Sequence, residues 1–90
     1  MSITVRVPGS LKDWLGGREE TSCQGNTLRE CIDDLELRFP GIKNRLEDKK
    51  GEIGPVLIFL NGENITKQEG LAAEIRDGDE IGIIPLAAGG

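Results

Sequence analysis

The chain has 90 residues, 37% of them hydrophobic and 30% charged, which predicts a single small soluble globular domain. Its net charge is −5 and most basic residues are scattered. We therefore expect no nucleic-acid partner, because nucleic acids are bound mainly by clustered positive charge. The sequence has neither a long apolar run nor a basic-then-apolar leader, so the expectation is a cytoplasmic protein with no membrane contact.

The first half of the chain predicts two strands followed by a long helix. Residues 3–7 alternate apolar and polar side chains, as a half-buried strand does. After a short helical turn, residues 19–24 form a weaker and more polar pattern, predicted as an edge strand antiparallel to the first. Thr27 and Glu30 have the spacing of a helix capping box, and apolar residues follow at helical spacing as far as Phe39.

The second half predicts a buried strand, a hairpin and a final strand. Residues 56–60 are apolar on both faces, and Asn61-Gly62 behind them is a strong hairpin signal. A short return strand and a brief helical turn over residues 71–75 lead to a last strand over residues 80–84. Pro85 ends that strand because proline has no backbone donor.

This order of elements predicts an α+β fold of the ubiquitin-like β-grasp type. One main helix can pack on only one face of the mixed sheet, which has four to five strands. A ferredoxin-like split βαβ fold is the alternative, but it needs a second full helix, and residues 71–75 are too few for one. We assign residues 1–85 to the β-grasp domain and residues 86–90 to a flexible C-terminal Gly-Gly tail, since glycine loses the most entropy on ordering.

The side chains needed for independent catalysis are missing from the sequence. There is no histidine, and the 16 carboxylates fall at turns and on the solvent face of the helix. Cys23 and Cys31 lack the C-x-x-C spacing of a zinc site; we interpret them as a strand thiol and a helix thiol, although the sequence does not exclude a disulfide. We therefore expect no enzyme activity, metal or cofactor in this chain.

The C-terminal sequence PLAAGG offers a different reactive group, the carboxylate of Gly90. A carboxylate is inert until it is activated, for example as an acyl-adenylate. The residues before it must then thread a narrow channel in extended form, which glycine permits because it has no side chain. The paired glycines, at the end of a β-grasp order of elements, are therefore typical of a carrier tail.

Three segments resemble those of the ubiquitin-like sulfur carriers, the family of the molybdopterin synthase small subunit and the thiamine-pathway carrier ThiS. They are Asn61-Gly62-Glu63, Asp77-Gly78-Asp79-Glu80, and Pro85 leading to Gly89-Gly90. Both ends of the chain look most like the branch of the family that serves cysteine biosynthesis. The resemblance spans the whole chain.

The resemblance implies a mechanism and a set of partners. An ATP-dependent adenylyltransferase, similar to ubiquitin-activating enzymes, adenylates Gly90; a sulfur donor protein displaces AMP and leaves a thiocarboxylate. A biosynthetic enzyme then accepts the sulfur. ATP and magnesium belong to the activating partner, and the free carrier is expected to be a monomer.

The predicted strands over residues 56–60 and 80–84 also predict a docking surface. By parity Val56, Ile58 and Leu60 face the helix, so Leu57 and Phe59 are expected on the open face together with Ile84, where an exposed apolar patch marks a partner site. The predicted site residues are Gly90 as the covalent carrier site, with Gly89, Ala88, Ala87, Leu86, Ile84, Phe59 and Leu57 as partner-binding residues.

Two other functions remain open at the level of sequence. The chain could be a protein modifier joined through Gly90 to lysines of target proteins, or an interaction domain whose tail is incidental. Within the carrier hypothesis, cysteine or a related sulfur amino acid is the favoured product, followed by molybdopterin or thiamine.

Overall fold

The computed structural model describes residues 2–86, which form a sheet with one long helix packed against it. In chain order the elements are β1 (Ile3–Arg6), a 3₁₀ helix (Gly9–Leu15), β2 (Glu20–Cys23), α1 (Leu28–Arg38), α2 (Ile42–Leu46), β3 (Val56–Leu60), β4 (Glu63–Asn64), a second 3₁₀ helix (Gly70–Ala72) and β5 (Glu80–Pro85). No helix within residues 2–86 has the length and hydropathy needed to cross a membrane.

The five strands form one mixed sheet in the order β2-β1-β5-β3-β4. β1 and β5 pair in parallel, with Val5 opposite Ile81, while the other three pairs of neighbours are antiparallel. The polar strand β2 lies at one edge, as its composition predicts. The predicted β-grasp fold, with its mixed sheet and one main helix, is confirmed.

Helix α1 begins with side-chain caps that satisfy its first free amides. The Thr27 hydroxyl accepts a hydrogen bond from the Glu30 amide at 3.2 Å. The Glu30 carboxylate accepts one from the Asn26 amide at 2.7 Å, one residue earlier than in the usual capping box. The predicted start of the helix is therefore correct, although its second hydrogen bond is displaced by one residue.

Gly25 is the tight point of the connection from β2 to α1. Its φ is +155°, and a Cβ atom built on it would lie 2.8 Å from the Cys31 nitrogen and 2.9 Å from the Glu30 carbonyl carbon. These neighbours are helix backbone and cannot yield as a flexible side chain would. A residue without a side chain is thus required for the end of β2 to approach the first turn of α1 so closely.

The core between sheet and helix is aliphatic. The sheet contributes Val5, Val56, Ile58, Ile81 and Ile83, and α1 contributes Leu28, Cys31, Ile32 and Leu35. Each such large side chain removed from water contributes about 1.5–3 kcal/mol. Trp14 and Phe39 are only half-buried and pack against the edge of this core.

The segment after β4 differs from the predicted helical turn over residues 71–75. Only Gly70–Ala72 is helical, and it is a 3₁₀ turn. Beyond it the backbone extends and bonds to the start of α1: the Leu28 amide donates to the Ala73 carbonyl, and the Ile75 amide donates to the Asn26 carbonyl, both at 3.0 Å. These contacts to a distant segment shorten the helical turn, and local sequence does not reveal them.

Candidate functional site: the open sheet face and the C-terminal strand

The side chains of β3 alternate between the two faces of the sheet. Val56 and Ile58 are buried beneath α1, whereas Leu57 and Phe59 are half-buried and stand outside the core cluster on the opposite face. Leu60 is half-buried and packs against the core. The predicted parity of this strand therefore agrees with the structure.

Leu57, Phe59 and Ile84 form the open-face patch. Leu57 lies directly opposite Ile84 in the β3–β5 pairing, and Phe59 lies opposite Gly82. Ile84 has 42% of its surface exposed, whereas its neighbour Ile83 has 1%. Since Gly82 has no side chain, the position beside Phe59 is left open. The patch is thus apolar and partly exposed.

A charged row continues from the patch across the sheet. Arg6 lies opposite Gly82 on the other side of β5. Its guanidinium contacts Glu80 at 3.1 Å (Nε to Oε2) and Glu20 at 3.4 Å (Nη2 to Oε1). All three side chains are more than half exposed, so the two ion pairs add little stability. With two carboxylates around one cation, they give the patch a net negative border, which suits a basic partner.

The end of β5 directs the chain out of the sheet beside this patch. Pro85 is paired with Val56, and the Leu86 amide still donates to the Pro55 carbonyl at 3.1 Å. Leu86 is 46% exposed. The predicted site residues Ala87, Ala88, Gly89 and Gly90 lie outside the described residues.

A groove of about 660 Å³ begins at Leu86, and we call it the exit groove. Its apolar lining includes Ile53, Val56, Leu57 and Leu71, and its cations are Arg29 and Lys67. One wall is the loop after α2, held in shape by Asp48. The Asp48 carboxylate accepts hydrogen bonds from the Glu52 amide at 3.0 Å and the Lys50 amide at 2.8 Å, and these lower the pKa of that carboxyl.

Sequence reasoning missed the exit groove because separate segments build it. The loop after α2, the turn after β4 and the end of β5 meet only in the folded chain. Asp48 itself was a partial signal, because an aspartate carboxylate commonly accepts hydrogen bonds from backbone amides just after it and so forms a turn. Here the amides of Lys50 and Glu52 donate to it.

The two cysteines are free thiols in the core. The hydrogen bond between their side chains and the burial of the Cys31 sulfur both raise the pKa of Cys31, so this thiol stays protonated. Among residues 2–86 there is no group of three acidic, cysteine or histidine side chains able to hold a metal ion.

A β-grasp sheet with an apolar open face and a C-terminal strand that leads out beside it is the architecture of a ubiquitin-like protein. The chain belongs to the ThiS family, whose model matches residues 5–90, and is a ubiquitin-like sulfur carrier. It is 40% identical over 93 residues to the sulfur carrier protein CysO of Mycobacterium tuberculosis, covering 100% of both chains. The predicted family resemblance is confirmed.

Two solved structures extend the comparison. The crystal structure of the Amycolatopsis orientalis BexX/CysO complex contains a chain that matches with a TM-score of 0.87 at 37% identity, covering 98% of this chain and 99% of that one. The small archaeal modifier protein 1 of Methanosarcina acetivorans matches with a TM-score of 0.78 at 31% identity, covering 99% and 96%. The fold is thus shared by a sulfur carrier and by a protein named as a modifier.

Proposed function

We propose that the Gly90 carboxylate is the site at which this carrier holds sulfur, and that it delivers that sulfur to the biosynthesis of a metabolite. The observation that carries the proposal is the end-to-end match to CysO, in which the C-terminal residues fall within the aligned length. The exit of β5 next to an apolar, partly exposed patch supports it.

The loading reaction has three steps in the active site of a partner. A carboxylate oxygen of Gly90 attacks the α-phosphorus of ATP, forms an acyl-adenylate and releases pyrophosphate. The terminal sulfur of a persulfide on a donor protein then attacks the acyl carbon and expels AMP, which gives an acyl disulfide. A second thiol attacks the donor's sulfur in this acyl disulfide, so that the thiocarboxylate leaves and the thiol and the donor form a disulfide. This chain contributes the carboxylate and a C-terminal segment of small residues, Ala87, Ala88, Gly89 and Gly90.

Docking to the activating enzyme and to the sulfur acceptor uses the open-face patch together with Leu86. Leu57, Phe59 and Ile84 offer apolar contact, and the carboxylates around Arg6 favour a partner with basic side chains. The proposed product is cysteine or a related sulfur amino acid, in keeping with the match to CysO.

The test is the intact mass of the protein after incubation with an enzyme that activates ThiS-family carriers, together with ATP-Mg²⁺ and a sulfur donor. We expect the mass to rise by the difference between a sulfur and an oxygen atom. A variant lacking Gly90 and a variant with one residue added after Gly90 are the matched controls, and neither should gain this mass. An unchanged mass for the unaltered chain, with an enzyme that loads its own carrier, would contradict the proposal.

A protein modifier is the second candidate, favoured by the match to the small archaeal modifier protein 1. It predicts conjugates in which Gly90 is joined to target lysines. Their detection by immunoblot, and their loss when Gly89 and Gly90 are deleted, would support it; the absence of conjugates in cells that load the carrier with sulfur would exclude it.

A further inference from the structure

The strand β2 lies at one edge of the sheet, so the outer side of its backbone pairs with no other strand of residues 2–86. The Val7 amide donates to the Glu19 carbonyl at 2.9 Å, which fixes the hydrogen-bonding side of the β1–β2 pair. Because the backbone groups of an antiparallel strand point alternately to its two sides, those of Glu20 and Ser22 point away from β1. The outer edge of β2 therefore presents donors and acceptors with which another strand could pair.

Two side chains of α1 occupy part of this edge. The Arg38 guanidinium donates to the Ser22 carbonyl, and the Asp34 carboxylate accepts a hydrogen bond from the Gln24 amide at 3.0 Å. Arg38 also donates to the Thr21 hydroxyl at 3.3 Å. A strand that paired with the outer side of β2 would need the same carbonyl and the same amide.

Asp34 and Arg38 hold each other in this position. They are one helical turn apart on α1, and Nη2 of Arg38 lies 3.3 Å from Oδ2 of Asp34. That same oxygen accepts the bond from the Gln24 amide. The two side chains are 42% and 32% exposed, so their ion pair adds little to the stability of the folded chain. Their main effect is on the hydrogen-bonding capacity of the strand edge.

The outer edge of β2 is complementary to itself. In an antiparallel pair of two β2 strands centred on Ser22, Glu20 of one copy lies opposite Gln24 of the other. This register places no two like charges directly opposite each other, and such pairs would destabilise the ladder. The outward backbone groups of all three residues then find partners on the other copy. A second copy of this chain is therefore an occupant that the edge fits.

We propose that Asp34 and Arg38 close the outer edge of β2 and so prevent this strand from pairing with β2 of a second copy. The open-face patch lies on β3 and β5, which are separated from this edge by β1. Closing the edge therefore leaves the patch free for partners. It also gives the expected monomeric state of the carrier a specific structural cause.

Sedimentation of the double variant Asp34→Ala, Arg38→Ala, which we call the edge variant, tests this proposal. We expect its sedimentation coefficient to rise with protein concentration toward that of a dimer, whereas the coefficient of the unaltered protein should not. At concentrations at which the dimer forms, hydrogen exchange at the Glu20 and Ser22 amides should slow, because both amides enter the new ladder.

Two further variants show whether association uses this edge. Asp33→Ala, Lys43→Ala is the matched control, because it removes an exposed 2.8 Å ion pair between α1 and α2 that does not contact β2, and it should remain a monomer. Ser22→Pro added to the edge variant removes an outward backbone donor that the pairing with β1 does not use. This addition should restore the monomer.

Four results would contradict the proposal. They are an edge variant that stays monomeric at every concentration, an equal dimer in the control variant, a dimer that persists with Ser22→Pro, and an unaltered protein that itself pairs through these amides. Slowed exchange without a rise in sedimentation coefficient would assign the freed edge to another segment of the same chain, and this too contradicts pairing with a second copy.

A milder substitution keeps the test decisive if circular dichroism shows that the edge variant does not fold. Arg38→Gln frees the Ser22 carbonyl and leaves the bond from Asp34 to the Gln24 amide in place. It should show the same dependence of sedimentation on concentration to a smaller extent, and a strictly monomeric Arg38→Gln protein would overturn the proposal. None of these measurements requires sulfur loading, so their outcome is independent of the mass experiment.

Discussion

Both faces of the sheet carry large apolar side chains, but those of one face are buried in the core and those of the other face are partly exposed. Ile83 and Ile84 are neighbours of identical chemistry on β5, yet the first is buried beneath α1 and the second is 42% exposed. On β3, Ile58 and Phe59 make the same contrast. The difference shows that hydrophobicity alone does not distinguish a buried core residue from a residue of an exposed apolar patch, whereas the alternation of side chains along the strand does.

The two faces also differ in how they are closed. The inner face is covered by α1 and contains the aliphatic core, so each of its side chains contributes to folding. The outer face bears the patch beside an exposed charged row. Substitutions there should change the affinity for partners more than the free energy of unfolding.

The largest expected effect is on the free energy of unfolding. Ile83→Ala should lower it by about 2–5 kcal/mol because the substitution leaves a cavity in the core. Ile84→Ala, the matched control one residue further on, should change it by no more than about 0.5 kcal/mol, as for a surface position. Urea denaturation measures both, and equal losses would contradict the assignment of faces.

The second effect concerns the tail. Gly89→Val should slow activation on the order of 100-fold, the scale expected when a reacting group is misplaced by about 1 Å. A β-branched side chain restricts the backbone and fills the channel through which the carboxylate must pass. The measurement is ATP–pyrophosphate exchange with the activating enzyme.

The stability of the same variant distinguishes a role of Gly89 in activation from a role in folding. Stability of Gly89→Val in urea should equal that of the unaltered protein, because position 89 comes four residues after the last residue of β5 in the sequence. An unchanged exchange rate would show that the paired glycines are not needed for threading.

The third effect is on partner binding. Phe59→Asp should weaken binding to the activating enzyme by about 2 kcal/mol or more, the scale of an apolar hot spot, because it places a charge in the centre of the patch. Titration calorimetry measures this loss. Glu63→Gln, at an exposed position on β4 paired with Leu60, is the control outside the patch. A Phe59→Asp protein that no longer folds would place this side chain in the core.

Most of the fold could be predicted from the sequence because its signals are local. Alternation gave β1 and the parity of β3, Thr27 with Glu30 marked the helix start, and Asn61-Gly62 marked the hairpin. The Gly-Gly end predicted a carrier tail only together with the β-grasp order of elements, and that role stays a prediction.

The parts that could not be predicted depend on contacts between distant segments. Pairing of Ala73 and Ile75 with the start of α1 shortened the second 3₁₀ helix. The exit groove needs three segments to meet, and the position of Arg6 between Glu20 and Glu80 needs the parallel register of β1 with β5. No local pattern encodes these.

The fourth effect concerns the edge of β3. β4 pairs only with Phe59 and Leu60, and at Ile58 a side chain provides hydrogen bonds to the backbone. The Thr66 hydroxyl accepts a hydrogen bond from the Ile58 amide at 2.7 Å and donates to the Ile58 carbonyl at 3.3 Å. Thr66→Val keeps the shape and removes both bonds, and it should cost about 1 kcal/mol of stability. Thr66→Ser, which retains the hydroxyl, is the control. A loss for serine as large as that for valine would contradict the assignment of the effect to the hydroxyl, because serine retains it.

The smallest effect depends on pH and concerns the helical side of the molecule. The Glu36 carboxylate accepts hydrogen bonds from the Lys43 amide at 2.9 Å and the Gly41 amide at 3.1 Å, which join α1 to α2. These amides lower the pKa of Glu36 below its ordinary value of 4.5. Because the folded pKa is the lower one, the stabilisation is present above the unfolded value and is lost as the pH falls through the folded pKa.

Glu36→Gln should therefore lower the melting temperature slightly at about pH 7 and by less at about pH 2, because the stabilisation by the charged carboxylate is lost as the pH falls through its lowered folded pKa. Glu63→Gln removes one negative charge without touching the α1–α2 junction and corrects for the change in net charge. Thermal unfolding by circular dichroism at both pH values measures the difference. An equal loss for Glu36→Gln at both pH values would mean that the junction needs the shape of the side chain and not its charge.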